Sequence, residues 1–467
     1  MPEKYHITTR PVPPRLPRIG KCGVVDWRED CARCHNCVKK ACVFDRYRQE
    51  GQYISKLDDA GTFFFECMGC FSCVQKCTKG ILALASNPVY QAMGNSYWTP
   101  DIIHATWGQA ETGKVPVSGG GYRGRFSGSG FDSMWTDMSE IVRPTRDGIH
   151  GREYISTAVD IGRKVPVLTF DDKEAAALPP LVDIPLPIII DMPPEGYRLP
   201  GLFPVFQAVA KKTGILMLLD YKDLGLLGEE AQANLDNIAL YLSSGAPLPS
   251  GDVLKKMSLV EISEADASGG LVNRLKAVNP ALVVAIRVNL DATGVERTLE
   301  LARNQDVSAL HVVADINGNQ TGTRDPLFIK DMVRKIHTAL VQSGARDEIT
   351  IIAGGGIALA EHMAKAIICG ADAVSMDLPL LIGLECRLCA GCQPGACPAG
   401  INEICRDYAA GRMINLLAAW HDQLIEVMGA MGIREVRRLR GEVGRAMFFQ
   451  DLEEDTFGKL FGARKRA

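Results

Sequence analysis

Two cysteine runs constrain this chain more tightly than any other feature. Cys31, Cys34, Cys37 and Cys42 are spaced x2, x2, x4, and Cys67, Cys70, Cys73 and Cys77 are spaced x2, x2, x3. A CxxCxxC turn aims three thiolates at three irons of one cubane, while the fourth cysteine of each run reaches the cluster built by the other. The spacing therefore predicts crossed pairing. Cys31, Cys34, Cys37 and Cys77 would hold one [4Fe-4S] cluster, and Cys67, Cys70, Cys73 and Cys42 the second. Zinc is the alternative, because CxxC pairs bind it too. The proline that usually follows the fourth cysteine is replaced by Val43 and Thr78.

A third run, Cys386, Cys389, Cys392 and Cys397, places four cysteines in twelve residues and is followed by Pro398. It predicts a third cluster, [4Fe-4S] or [3Fe-4S]. Of the fifteen cysteines, Cys22, Cys369 and Cys405 remain. They read as ordinary thiols, with Cys405 a candidate remote fourth ligand. The N-terminal stretch has five prolines in eighteen residues and no apolar core, so neither a secretory signal nor a membrane anchor is expected. No window supplies 18 uninterrupted apolar residues for a membrane span. The expectation is a cytoplasmic protein, where regularly spaced thiols bind metal rather than form disulfides.

Composition excludes two classes. With 46% hydrophobic and 23% charged residues the chain is an ordinary globular sequence, and 467 residues suffice for two or three folded units. A net charge of -3 offers no basic field for a phosphate backbone, so no nucleic-acid partner is expected. Residues 1–90 read as a ferredoxin-like iron-sulfur domain, in which clusters replace a large apolar core. Residues 91–160 read as a Gly-rich linker and approach. Gly119, Gly121 and Gly124 spell GxGxxG there, but no strand precedes them and no apolar helix follows, so they read as linker.

From residue 161 short β-branched runs alternate with helical patterns. Strands are expected at 187–192, 215–219, 237–242, 259–262, 282–288, 309–314, 349–353 and 373–376, with helices such as 295–303, 327–343 and 358–369 between them. This alternation predicts an α/β fold, a (β/α)8 TIM barrel over 161–400, with a doubly wound open sheet as the alternative. Residues 401–467 read as a helical extension packed on the barrel. The loops after strands seven and eight of such barrels expose backbone N–H groups to phosphate. Candidate cofactor positions are therefore Gly354, Gly355, Gly356, Gly370 and Ser375, with Asn317, Gly318 and Gly322 after the sixth strand and Arg287 at the end of the fifth. They suggest FMN, the converter between one-electron clusters and two-electron chemistry. The alternatives are glycines that only turn a strand into a helix, and an Arg287 held in a salt bridge.

At these residues the chain resembles the FMN-binding synthase domain of the glutamate synthase family, in the short form with a ferredoxin domain in front. Cys386, Cys392 and Cys397 before Pro398-Ala399-Gly400 fit that family's cluster loop, and GADAVSMDLPLLIGLEC and FDSMWTDMSEIVRPTRDGIHGREYISTAVDIG resemble its segments. The resemblance covers roughly 130–460. It implies an iron-sulfur flavoprotein oxidoreductase, acting on CH-NH2 donors, that passes electrons through the clusters to FMN for reductive amination of 2-oxoglutarate to glutamate. Arg287 stands where the family has lysine, and Ser375 and Asp377 where it has glycines. The family's glutaminase cysteine and β-helix have no counterpart here. The resemblance thus implies a hetero-oligomeric, anaerobic complex with separate glutaminase and NAD(P)H-oxidising flavoprotein subunits, and ferredoxin or other redox subunits as donor. The alternatives are an electron-transfer subunit that has lost glutamate synthesis and an N-methylglutamate synthase subunit.

Overall fold

A computed structural model describes residues 5–25, 34, 36, 40–45, 62–64, 67–115, 128–136, 154–165, 170–171, 174–175, 178–228, 235–267, 270–389, 392 and 397–462. Cys31, Cys37 and Gly119 to Gly124 lie outside them.

Eight parallel strands close into a barrel in chain order: Ile188–Ile190, Leu216–Asp220, Ile238–Leu242, Leu259–Ser263, Val283–Asn289, Ala309–Val313, Thr350–Gly354 and Ala373–Met376. All eight expected strands are present, within two residues at each end, and the barrel replaces the open-sheet alternative. The seam closes where the eighth strand pairs with the first, Met376 against Ile190. Strands such as VVAIRVN are nearly continuous runs of buried apolar residues because helices cover the outer face of a parallel barrel and side chains fill its inside. Helices Gly294–Ala302, Ile329–Gln342 and Ala360–Ile368 lie where the 3.6-residue periodicity puts them.

Three helices frame the region around the third cysteine run: α1 (Pro100–Thr112), α2 (Leu378–Gly383) and α3 (Arg406–Ala430). α1 starts cleanly, since the Thr99 hydroxyl accepts from the Ile102 N–H and Pro100 occupies the first turn. It ends at Gly113, whose φ of +69° is a left-handed cap. α3 is 25 residues long and buries Met413, Leu416, Leu417 and Trp420 against α1 and the barrel helices.

Two expected domain boundaries shift. Residues 91–112 are not linker: Trp98 and Ile103 are fully buried and α1 packs on α2 and α3. The glycines of residues 118–130 mask the apolar turn that precedes them. The cysteine-rich unit also begins later than residue 1. Residues 5–19 lie on the barrel's helices, with the Tyr5 hydroxyl on Thr213 O (2.7 Å), Asn415 Nδ2 on Arg10 O (2.8 Å) and Arg412 Nη1 on Val12 O (3.0 Å). The unit proper carries an antiparallel sheet, Thr62–Phe64, Cys22–Val25 and Ala83–Ser86, with Cys22–Val25 in the centre. The C-terminal extension is helical as expected, and it also contributes a strand, Ala446–Phe448, paired with Met134–Thr136. Among the described residues no helix is long and apolar enough to cross a membrane.

Candidate functional site

The cysteine runs are brought together across the unit. Cys34 Sγ lies 3.9 Å from the Thr78 hydroxyl and within electrostatic reach of Cys77, the thiol one residue before it. Cys67 is within reach of Cys22, Cys73 and Cys42; burial first, and these thiols after it, push the Cys67 thiol up. The contacts thus run from the first run to Cys77 and from the second to Cys42, in the crossed sense. Cys22, expected to be an ordinary thiol, is set close to Cys67 by its ladder pairing with Phe64. Cys369 is a core thiol, packed 3.7 Å from Met134 Sδ, and Cys405 is exposed ahead of α3.

The third run follows α2, which itself follows the eighth barrel strand. Cys386, Cys389, Cys392 and Cys397 lie within mutual electrostatic reach, and burial drives the Cys386 thiol up to about 12. Such a thiol is neutral alone and gives up its proton to a metal. The chain is forced into this loop: Glu385 and Leu388 have φ of +72° and +50°, and the Leu388 N–H donates to Cys386 Sγ at 3.4 Å. Tyr197, in the loop after the first strand, faces Cys386, Cys392 and Cys389. The cysteine set therefore stands over the seam between the first and eighth strands, at the C-terminal mouth.

Beneath the seam lies a charged chain that the motif spacing does not announce. Arg287 Nε donates to Glu261 Oε1 (2.5 Å) and its Nη2 to Asp191 Oδ1 (2.6 Å). Glu261 Oε2 is 2.9 Å from His311 Nδ1, and His311 Nε2 is 2.9 Å from Ser375 Oγ. Burial alone would push the Glu261 carboxyl up, but Arg287 and His311 hold it at about 2. The order Glu261, His311, Ser375 has the connectivity of a nucleophile triad. Ser375 is not an open nucleophile, because it is only 3% exposed and its hydroxyl is engaged by His311. The chain can instead hold and pass protons between the barrel core and the mouth. A signal for it was present: Glu261 in LVEIS, Arg287 in VVAIRVN and His311 in ALHVV are polar residues inside apolar strands, which a helix-covered barrel can only turn inward.

Asp377 follows the eighth strand and accepts from the Leu378 N–H at 2.6 Å, capping α2. Burial and the Asp191 carboxylate push its carboxyl up to about 7. Its folded value lies above the unfolded one of 3.8, so the stability it contributes is complete below about pH 4 and is lost as pH rises through 7. Asp377→Asn keeps the cap and removes this penalty. The variant should be more stable than the parent by about 1–2 kcal/mol at pH 8, discounting for partial exposure, and equal to it at pH 4. Urea unfolding at the two pH values measures this; an equal gain at both would refute it.

Residues 258–434 match the conserved region of glutamate synthase. The archaeal-type glutamate synthase [NADPH] of Dehalococcoides mccartyi is 25% identical to the chain, covering 90% of it and 93% of the relative. The archaeal glutamate synthase [NADPH] of Archaeoglobus fulgidus is 26% identical, over 93% and 96%. The chain is thus similar to glutamate synthases along most of its length and carries their conserved region at residues 258–434. Among solved structures, an IMP dehydrogenase/GMP reductase-like protein from Corynebacterium glutamicum is 15% identical, covers 72% of this chain and 97% of its own, and has a TM-score of 0.43.

Among the described residues the iron-sulfur expectation has a suitable donor set: clustered thiols in the N-terminal unit and at the mouth. The glycines expected to cradle FMN lie where the loops after the sixth and seventh strands meet. A Cβ on Gly355 would meet Ala314 O at 2.5 Å, and one on Gly356 would meet Gly318 Cα at 2.4 Å. These glycines let the loops after the sixth and seventh strands touch. Segment 94–98 then covers them: Trp98 Nε1 donates to Ile316 O (2.7 Å), the Tyr97 hydroxyl to Gly356 O, and Asn95 Nδ2 to Asn317 Oδ1 (3.0 Å). Gly318 faces Phe328, and Gly322 alone opens onto free space. Gly370 departs from its expected role outright. It precedes the eighth strand, at the end of the barrel away from the mouth, with its Cβ position filled by His337. Ser375 is engaged with His311, and Arg287 is neutralised by two carboxylates, the salt-bridged alternative.

Proposed function

We propose that the chain is an iron-sulfur oxidoreductase of the glutamate synthase type, in which two N-terminal [4Fe-4S] clusters deliver electrons to a third, [4Fe-4S] or [3Fe-4S], cluster at the barrel mouth. The observation that carries this reading is the thiol set of Cys386, Cys389, Cys392 and Cys397 over the strand seam, inside the matched family region. Cys31, Cys34, Cys37 and Cys77 would hold one N-terminal cluster and Cys67, Cys70, Cys73 and Cys42 the other. When reduced, such clusters supply low-potential single electrons. The barrel's own residues would handle protons: Glu261, His311 and Ser375 form a buried hydrogen-bonded chain, and Arg287 fixes Asp191 and Glu261 in place. The reaction proposed is reductive amination of 2-oxoglutarate to glutamate, with FMN as the accompanying cofactor and separate redox and glutaminase subunits as partners.

The neutralised Arg287 favours a second reading, an electron-transfer subunit that has lost glutamate chemistry. One experiment separates the two. The chain is purified anaerobically, its iron and extractable flavin are quantified, and glutamate is sought after adding reduced dye, 2-oxoglutarate and ammonia. About twelve irons per chain is expected for three cubanes. Flavin with glutamate supports the synthase reading. Iron without flavin overturns it in favour of electron transfer, and little or no iron overturns both.

A further inference from the structure

A small cavity lies behind the third cysteine loop, lined by Leu16, Arg18, Trp107, Glu385, Arg387 and Arg412 among others. Its walls are the N-terminal segment, α1, α3 and the turn into Cys386. Its charges do not balance. Glu111 pairs with Arg18, and Glu385 accepts from the Arg15 and Leu16 N–H groups while the Arg15 guanidinium lies 3.3 Å from its other oxygen. Both lining carboxylates are thereby neutralised.

Arg412 has no such partner. It is fully buried, and its guanidinium donates only to the carbonyls of Gly383 (2.5 Å), Val12 (3.0 Å) and Trp107 (3.1 Å); no carboxylate among the described residues lies within 4.0 Å. Arg387 makes no side-chain hydrogen bond or ion pair among the described residues, and its buried Nε–H is unpartnered. The buried Trp107 Nε1–H is unpartnered too. Buried charges are normally paired and buried donors normally satisfied, so two cations and two idle N–H groups around one cavity call for an acceptor that carries negative charge.

The geometry points to a binding site for a small oxyanion, a carboxylate or phosphate compound, seated between Trp107 and Arg387 with the field of Arg412 behind it. The guanidinium and indole N–H groups suit charge-assisted bonds to such oxygens. The site is separate from the strand seam and independent of the reaction proposed for it. Because Arg387 adjoins Cys386, an anion there would sit beside the third cysteine set.

Equilibrium dialysis of the intact, iron-loaded chain with radiolabelled malonate and with inorganic phosphate tests this. One saturable site per chain is expected for at least one probe, weakened about tenfold or more in Arg387→Gln and in Trp107→Phe, the loss of one charge-assisted hydrogen bond. Malonate binding alone identifies a carboxylate ligand, and phosphate binding alone a phosphate one. Iron content and melting temperature check each variant; should Arg387→Gln fail them, Trp107→Phe decides. Absence of saturable binding for both probes, or unchanged binding in the sound variants, overturns the site.

Discussion

Cys42→Ser, in a Cys22→Ser background, is expected to remove the cluster assigned to the second cysteine run rather than to the first, to which Cys42 belongs in sequence. Cys67 lies within reach of Cys42 and Cys73, whereas Cys34 reaches across to Cys77 and Thr78. Cys22 is removed as well because it too is close enough to Cys67 to stand in for the missing thiolate. Iron should fall from about twelve to about eight per chain, one cubane of three. Epistasis then identifies which cluster was lost. Adding Cys70→Ser should cost no further iron, because both thiols serve the same site. Adding Cys34→Ser should bring iron down to about four. If Cys34→Ser is the silent addition and Cys70→Ser the costly one, pairing within each run is correct and crossing is wrong.

Arg287→Met should destabilise the barrel by about 3–5 kcal/mol, because it leaves Asp191 and Glu261 as uncompensated charges in the interior. Both carboxylates are buried, and both depend on the same guanidinium. The size of the effect follows from what is left behind, not from the ion pairs themselves, since an intact buried pair adds little net stability. A second change exposes this. Adding Glu261→Gln to Arg287→Met removes one stranded charge and should recover part of the loss, a coupling that urea unfolding of the four proteins measures. The pH dependence carries a matching sign. Glu261 sits at about 2 in the folded chain against an ordinary 4.5, so its stabilisation is complete above about pH 4.5 and is lost as pH falls towards 2. Arg287→Met should shrink that acid-side slope, leaving the part that His311 holds. A loss under about 1 kcal/mol with the slope intact would mean that water or rearrangement neutralises the pair.

The barrel was legible because its evidence is periodic. Each of the eight strands announced itself as a short β-branched run, and a helix-covered parallel sheet has no other way to use such runs. The clustering of the described cysteines was legible because spacing along the chain and reach in space coincide within a CxxC turn. The neighbours of the glycines were not legible. Gly355, Gly356 and Gly370 are glycines for three neighbours the sequence does not name, Ala314, Gly318 and His337. Glycine reports that something comes close, not whether it is a phosphate or another loop. The charged chain from Asp191 to Ser375 joins the first, fourth, fifth, sixth and eighth strands through hydrogen bonds between residues up to 96 apart in sequence, which no local pattern encodes. The misplaced start of the cysteine-rich unit has a similar origin: the proline-rich first residues look featureless until Arg412 and Asn415 of α3 take up their carbonyls.

That early segment changes what kind of module the cysteine-rich unit is. The chain first lies along the barrel's helices, leaves at Lys21, builds the small sheet and returns at Asn87, whose backbone N–H and side-chain amide hold Lys21 O (3.0 Å) and Gly20 O (2.8 Å). Exit and re-entry are stapled side by side. The unit is thus a graft with two roots and not a pendant head. A single protease cut in either root would leave it attached, and transplanting it onto another barrel would require joining both roots at once.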